Sequence, residues 1–192
     1  MAPMPVVGVI AIQGDFEKHA ESLHAIPDVQ VDVRFVRTPE ELASCDRAII
    51  PGGESTTVGL LMDRFGLGEA LKEFASQGKP VWGTCMGMIL MAREVEDRAQ
   101  YSLNLLDIKV RRNAFGAQVH SFEDKVEMIG LKEPVMGVFI RAPIVVEMGS
   151  DVHVLARYDD QVVAVRHGNR IGTSFHPELT SDTRLHEWFL SL

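Results

Sequence analysis

The chain has 192 residues, with 19 Lys and Arg against 27 Asp and Glu for a formal net charge of −8. Its length suffices to bury roughly 70% of the surface an unfolded chain exposes, enough for one substantial core. The only tight basic pair, Arg111-Arg112, is too small to track phosphates, which argues against nucleic acid. Two cysteines, Cys45 and Cys85, cannot make a disulfide framework, and neither has a Cys or His neighbour at metal-ligand spacing. No metal or organic cofactor is expected, and a reducing cytoplasm fits.

The opening run Val6–Ile12 is apolar without a preceding Lys or Arg, and nothing approaches the 18 or so apolar residues that span a bilayer, so it reads as a first strand and not as a leader or membrane segment. "QGD" at 13–15 turns into a helix over Phe16–His24, and Val29–Val36 reads as the second strand. Arg47–Ile50 enters a glycine turn, "PGGEST" at 51–56, followed by helices over Thr57–Phe65 and Leu67–Gln77. Gly78-Lys79-Pro80 breaks the second helix before Val81-Trp82 begins a buried strand, and a short apolar helix is expected over Met88–Ala92. Short Val- and Ile-rich strands alternating with helices imply βαβ units and a parallel sheet. Beyond residue 105 the texture changes to β runs at Val110, Gln118–Phe122, Val135–Ile140, Ile144–Glu147, His153–Tyr158 and Gln161–Arg166, so the second half is mixed or antiparallel. A last helix should start near Ser181-Asp182 and run to Leu190. With no repeat or linker, the chain reads as a single α/β domain over 1–192 with a central mixed sheet.

Three stretches carry chemistry. Gly83-Thr84-Cys85-Met86-Gly87 lies after a strand and before a helix, with the spacing of a nucleophile elbow. Its two glycines let the backbone fold sharply enough to push the central thiol outward, the helix N-terminus favours thiolate, and the Met86 N–H can help hold an oxyanion. Near the end of the last strand, "TSFHPEL" sets His176 and Glu178 on either side of Pro177, so that the carboxylate can orient the imidazole serving as base to Cys85. In "PGGEST", Gly52 and Gly53 expose backbone N–H groups suited to a second oxyanion donor, while Glu54, Ser55 and Thr56 stand where they either cap the next helix or grip a substrate's charged end. Taken singly, each stretch also has a plain structural reading: a buried cysteine in a glycine turn, a proline turn into a helix, a capped glycine loop. The remaining histidines, His19, His24, His120, His153, His167 and His186, read as structural or solvated, and Cys45 as a small packed residue.

Together these residues resemble the class I, triad-type glutamine amidotransferases. Within that group, "AIQGDFEKH", "IPGGEST", "GTCMGMIL", "RRNAFGAQVHSFE", "VFIRAP" and "TSFHPEL" are similar, in order and over essentially the whole chain, to the glutaminase subunits of pyridoxal 5′-phosphate synthases. The resemblance implies a three-layer domain whose central, mostly parallel sheet is flanked by helices, with added antiparallel strands in the second half. It implies catalysis by Cys85, His176 and Glu178, an oxyanion hole at Gly53 and Met86, and glutamine bound by Gly53, Glu54, Ser55, Arg112, Ile140 and Arg141. Gln13 matches a position at the synthase interface that helps arrange the oxyanion hole. The implied partner is a (β/α)₈-barrel synthase subunit that receives ammonia from L-glutamine. Met86 stands where such proteins commonly carry alanine; its backbone donor survives, while the thioether narrows the pocket or the ammonia exit. Two other readings stay open at this point: a glutaminase serving another synthase, such as imidazole glycerol phosphate synthase, and a non-catalytic module that only binds a partner.

Overall fold

Alternating side chains along the first strand, β1 (Val6–Ile10), already set the architecture: Val7 and Val9 enter one core, while Val6 and Ile10 pack into another on the opposite side. A sheet buried on both faces needs a layer of helices on each. The computed structural model describes residues 3–116 and 121–192. One layer is α1 (Phe16–His24) with α6 (Arg184–Leu190), whose Leu23, Leu185 and Phe189 join Val7, Val9, Ile49 and Trp82. The other layer comprises α2 (Pro39–Ala43), α3 (Ser55–Arg64), α4 (Leu67–Ser76) and α5 (Met86–Met91), whose Leu42, Val58, Met62, Leu71 and Met88 meet Ile10, Ala48, Ile50 and Val81.

The other strands are β2 (Asp32–Val36), β3 (Arg47–Ile50), β4 (Val81–Thr84), β5 (Ala92–Val95), β6 (Leu106–Arg111), β7 (Ser121–Val126), β8 (Val135–Ile140), β9 (Ile144–Met148), β10 (His153–Tyr158), β11 (Gln161–His167) and β12 (Arg170–Thr173). The main sheet runs β2-β1-β3-β4-β12-β11-β9-β6-β5, with β10 paired to β11, and β7 and β8 form a separate hairpin. Pairings among β2, β1, β3, β4 and β12 are all parallel, whereas β12–β11, β11–β9, β11–β10 and β9–β6 are antiparallel. The expected mostly parallel core with antiparallel strands added in the second half is therefore observed. No helix among the described residues is long and apolar enough to cross a membrane.

Element boundaries differ from the sequence reading where a cap or an edge intervenes. The helix expected from Thr57 begins at Ser55, because the Glu54 carboxylate accepts the N–H groups of Thr56 (3.0 Å) and Thr57 (2.8 Å). The short apolar helix starts at Met86 and ends at Met91, and Ala92 turns into the edge strand β5, which was not anticipated. Helix α2 was missed although Thr38-Pro39-Glu40-Glu41 carries its signature: a capping box between Thr38 and Glu41, with proline in the first turn. The first strand stops at Ile10, the second starts at Asp32, and the last helix starts at Arg184, two residues past Asp182, whose carboxylate accepts its N–H at 3.1 Å. Of the run expected over Gln118–Phe122, residues 118–120 lie outside the described residues and β7 covers the rest.

The topology fixes where chemistry can gather. Strands β1, β3, β4 and β12 are mutually parallel neighbours, so the segments after their carboxyl ends, which hold Gln13, Gly52-Gly53, Cys85 and His176, emerge along one edge of the sheet.

Candidate active site

The elbow is built by close approach of backbones. A Cβ on Gly83 would stand 2.4 Å from the Gly87 carbonyl carbon, and one on Gly87 would stand 2.0 Å from the Ile50 oxygen, so neither position tolerates a side chain. Between them Cys85 adopts φ 52° and ψ −105°, a region that costs an L-residue on the order of 1–3 kcal/mol and persists only where its surroundings impose it. The Cys85 N–H donates to Thr173 O at 2.7 Å, locking the elbow to β12, and its Sγ stands 3.7 Å from the Ile140 carbonyl.

His176 leaves the end of β12 with its N–H donating to Val138 O at 2.8 Å, and Pro177 opens a 3₁₀ turn that brings Glu178 back beneath it. Nδ1 of His176 lies 2.7 Å from Glu178 Oε1. Burial opposes a charge on this imidazole, but its hydrogen bonds to Cys85 and Glu178, with the negative charge those groups offer, outweigh burial and push its pKa up to about 10. The ring stands between the Cys85 sulfur and the Glu178 carboxylate in surroundings that favour its protonated form. Gly52 is required at its side: a Cβ there would come within 2.5 Å of His176 Cε1.

Cys85 and His176 open into one pocket of about 580 Å³. Gly53, Glu54, Ser55, Met86, Arg112, Ile140 and Arg141 line it, so every residue expected at the pocket is brought together there. Glu178 sits behind His176, 3% exposed. Gln13 stands at the rim, its Oε1 accepting the Glu54 N–H at 2.7 Å. The Gly52 carbonyl is pressed onto Gly14, where a Cβ would come within 1.4 Å of its oxygen; in a trans peptide this turns the Gly53 N–H the opposite way. Gly53 and Met86 donate no backbone hydrogen bond among the described residues. The Met86 thioether is buried and turned toward Gly53, its Cε 3.2 Å from where a Gly53 Cβ would be.

The pocket's charges suit a zwitterion. Arg112 and Arg141 make no ion pair among the described residues, in contrast to Arg111, which pairs with Glu96. Opposite in sign stand Asp15 and Glu54; the two N–H groups that Glu54 caps hold its carboxyl down at about 2, so it stays ionised. Glu54 thus fills the capping role and faces the pocket as well. Arg141 and Asn113 line the pocket with φ of 46° and 48°, so three of its residues, with Cys85, are held in a left-handed backbone that only surrounding structure imposes.

Sequence reasoning missed Asp15, Ile89 and Asn113 as lining residues, and it set aside His19 and His186, which are fully buried behind Glu178. Only "GDFEKH" held a hint, since a histidine one turn into α1 faces the sheet. Ligand atoms of Asp15, His176 and Glu178 lie within 4.8 Å of one another. Within that set Glu178 Oε1 is already bonded to His176 Nδ1.

Comparison with known proteins is consistent over the length of the chain. The profile of the SNO glutamine amidotransferase family matches residues 9–192. "Pyridoxal 5'-phosphate synthase subunit PdxT" of Thermosipho africanus is 50% identical over 186 residues, 97% of each chain, and the protein of that name from Geobacillus sp. (strain WCH70) is 46% identical over 189 residues, 98% of this chain and 97% of its own. A solved structure described as a crystal structure of glutamine amidotransferase superposes with TM-score 0.91 at 44% identity, covering 96% of this chain and 97% of the other. The structure of PurLQS from Thermotoga maritima matches at TM-score 0.70 and 18% identity, over 98% of this chain and 99% of that one, which speaks to the fold alone.

Proposed function

The chain belongs to the SNO glutamine amidotransferase family, and from that premise we propose that it hydrolyses L-glutamine through a thioester on Cys85 and passes the ammonia to the (β/α)₈-barrel subunit of a pyridoxal 5′-phosphate synthase. The choice of acceptor rests on the PdxT relatives, which are 46–50% identical over nearly the whole chain. The site observation that carries the chemistry is the convergence of a strained elbow cysteine and a Glu178-oriented His176 on one pocket holding two arginines that make no ion pair among the described residues.

In this reading Arg112 and Arg141 take the α-carboxylate of glutamine, and Glu54 with Asp15 faces its ammonium, leaving the side-chain amide over Cys85. Ser55 and Ile140 complete the wall. The thiolate attacks the amide carbon, and the amide oxygen, now negative, accepts the N–H groups of Gly53 and Met86. His176 gives its proton to the departing nitrogen; the C–N bond breaks, ammonia leaves and the thioester remains. The neutral imidazole then takes a proton from water, whose oxygen attacks the thioester, and glutamate departs as sulfur recovers its electron pair. Glu178 keeps the ring aimed throughout and stabilises it whenever it carries the proton. No metal or organic cofactor takes part. The same reading makes 1–192 one glutaminase domain working in a reducing cytoplasm, where its two cysteines stay free.

The test is ammonia and glutamate release from L-glutamine, measured with and without the barrel subunit. Release that rises when the barrel is added supports the proposal; a chain that binds the barrel yet never turns over glutamine refutes it.

A further inference from the structure

We propose that His19, fixed in its tautomer by His186, is a positioning residue that holds the second oxygen of Glu178 and thereby keeps His176 aimed at Cys85. The proposal rests on the Cys85–His176–Glu178 reading above and extends it one layer into the core.

The observation is a file of buried polar groups between α1, β4 and α6, within an otherwise apolar layer. His19 is fully buried. Its Nδ1 lies 2.9 Å from Nε2 of His186, itself fully buried, and its Nε2 lies 3.2 Å from Thr84 Oγ1 and 3.5 Å from Glu178 Oε2. Both rings pack against Trp82, with centroids 5.7 Å and 4.9 Å away and near edge-on geometry, so the neighbourhood is dry. Thr84 is the residue immediately before the nucleophile. The file therefore meets both the elbow and the carboxylate at one end, His19 Nε2, and is anchored at the other by His186.

Donor accounting assigns the protons. Nδ1 of His186 has no partner among the described residues, and an unpaired buried lone pair is less costly than an unpaired buried N–H. The proton of His186 thus sits on Nε2 and is donated to Nδ1 of His19. That forces the His19 proton onto Nε2, where it is donated to Thr84 Oγ1 and faces Glu178 Oε2. Glu178 Oε2 has no hydrogen-bond partner among the described residues, with His19 Nε2 standing 3.5 Å away, while its mate Oε1 is taken by His176. The contact to Oε2 is long in this substrate-free structure, as catalytic contacts commonly are before the complex forms.

Neutrality is what makes the arrangement useful. Burial, then the neighbouring His186 and His176, hold the His19 pKa well below its usual value, and burial takes His186 down to about 3. A neutral donor restrains Glu178 without cancelling its charge, which remains available to the His176 imidazolium. A cationic side chain at the same place would compete with His176 for the carboxylate.

The experiment uses the full chain with saturating barrel subunit and compares His19→Leu, His19→Gln, His186→Leu and wild type, with Cys85→Ala alongside. His19→Leu should lower kcat on the order of ten- to a hundred-fold with KM unchanged, since only the aim of a reacting group is loosened. The pH–rate limb set by His176 should move to lower pH, because its carboxylate partner is less well held. His19→Gln, which restores an N–H near the Nε2 position, should recover most of the loss, and His186→Leu should show a smaller fall in kcat. Independently of how the leucine variant folds, ¹⁵N resonances of His19 in the wild-type protein supply a second reading: a neutral ring protonated on Nε2 is expected. A wild-type kcat and pH profile in His19→Leu, or a His19 ring protonated on Nδ1 or on both nitrogens, overturns the inference while leaving the triad intact. Turnover by Cys85→Ala would instead refute the triad itself.

Discussion

The His176 ring lies so close against Gly52 that a Cβ on the glycine would stand 2.5 Å from Cε1 of the imidazole. The glycine loop after β3 thus does more than expose backbone N–H groups; it provides the flat wall against which the His176 imidazole is seated. Gly52→Ala should push the ring off its line to Cys85 and lower kcat about 10²-fold, as a displacement near 1 Å of a reacting group does. Far-UV circular dichroism should stay at the wild-type level, which separates a misplaced base from a lost fold.

The two pocket arginines give a prediction of opposite kinetic character. On the proposed reading, Arg112→Ala and Arg141→Ala each remove a charge-assisted contact to a substrate carboxylate that is present before and during reaction. KM for glutamine should therefore rise roughly tenfold or more while kcat changes little. Steady-state kinetics decides it, and a wild-type KM in both variants would reduce these side chains to backbone-strained wall residues.

Stability should carry the signature of the buried histidine pair. His19 and His186 have folded pKa values below the ordinary 6.5, the latter at about 3, so between about 6.5 and 3 the unfolded chain binds protons that the native state refuses. Native stability must then fall as pH drops through this window. His176 acts at the other end: its pKa is raised to about 10, so its contribution is complete below about 6.5 and disappears as pH rises toward 10. Denaturant midpoints measured from pH 4 to 10 should peak near neutrality. His186→Leu should flatten the acid limb, and Cys85→Ala, by removing a partner of His176, should flatten the alkaline limb.

Gln13 and Gly14 grip the glycine loop from outside, one accepting the Glu54 N–H at 2.7 Å and the other underlying the Gly52 carbonyl. If the Gly53 N–H must face the oxyanion for turnover, a partner docking at this rim activates the enzyme by favouring that peptide orientation, and only by its differential affinity for it. The isolated chain should be a poor glutaminase, slower by about 10²–10³-fold if one oxyanion donor is out of place. Gln13→Ala should blunt activation by the barrel subunit more than it changes glutamine KM. Equal kcat with and without the barrel would remove the switch from the account.

Much of this was legible in the sequence because the decisive features are local. The glycines flanking Cys85, the proline between His176 and Glu178, and the paired glycines after β3 each constrain their own few residues, and a parallel sheet then carries them to one edge. The α2 capping box was equally local and simply went unread. What the sequence hid depends on distant parts of the chain. His19 and His186 are 167 residues apart and acquire meaning only when α1 and α6 pack side by side. Asp15 and Asn113 enter the pocket through loop geometry that no periodicity encodes. Cys45 was read correctly as a packed residue, and the reason is tertiary: its sulfur fills the space above Gly8, 2.9 Å from where a Cβ would stand.

The central claim, that Cys85 carries the acyl group of glutamine, is tested most directly by ammonia release from Cys85→Ala and Cys45→Ser, each with saturating barrel subunit. Cys85→Ala should lose at least about 10⁴-fold in kcat while still binding the barrel, and Cys45→Ser, at a buried residue that does not line the pocket, should keep most of the wild-type rate. Retained turnover in Cys85→Ala, with loss in Cys45→Ser, would contradict the account.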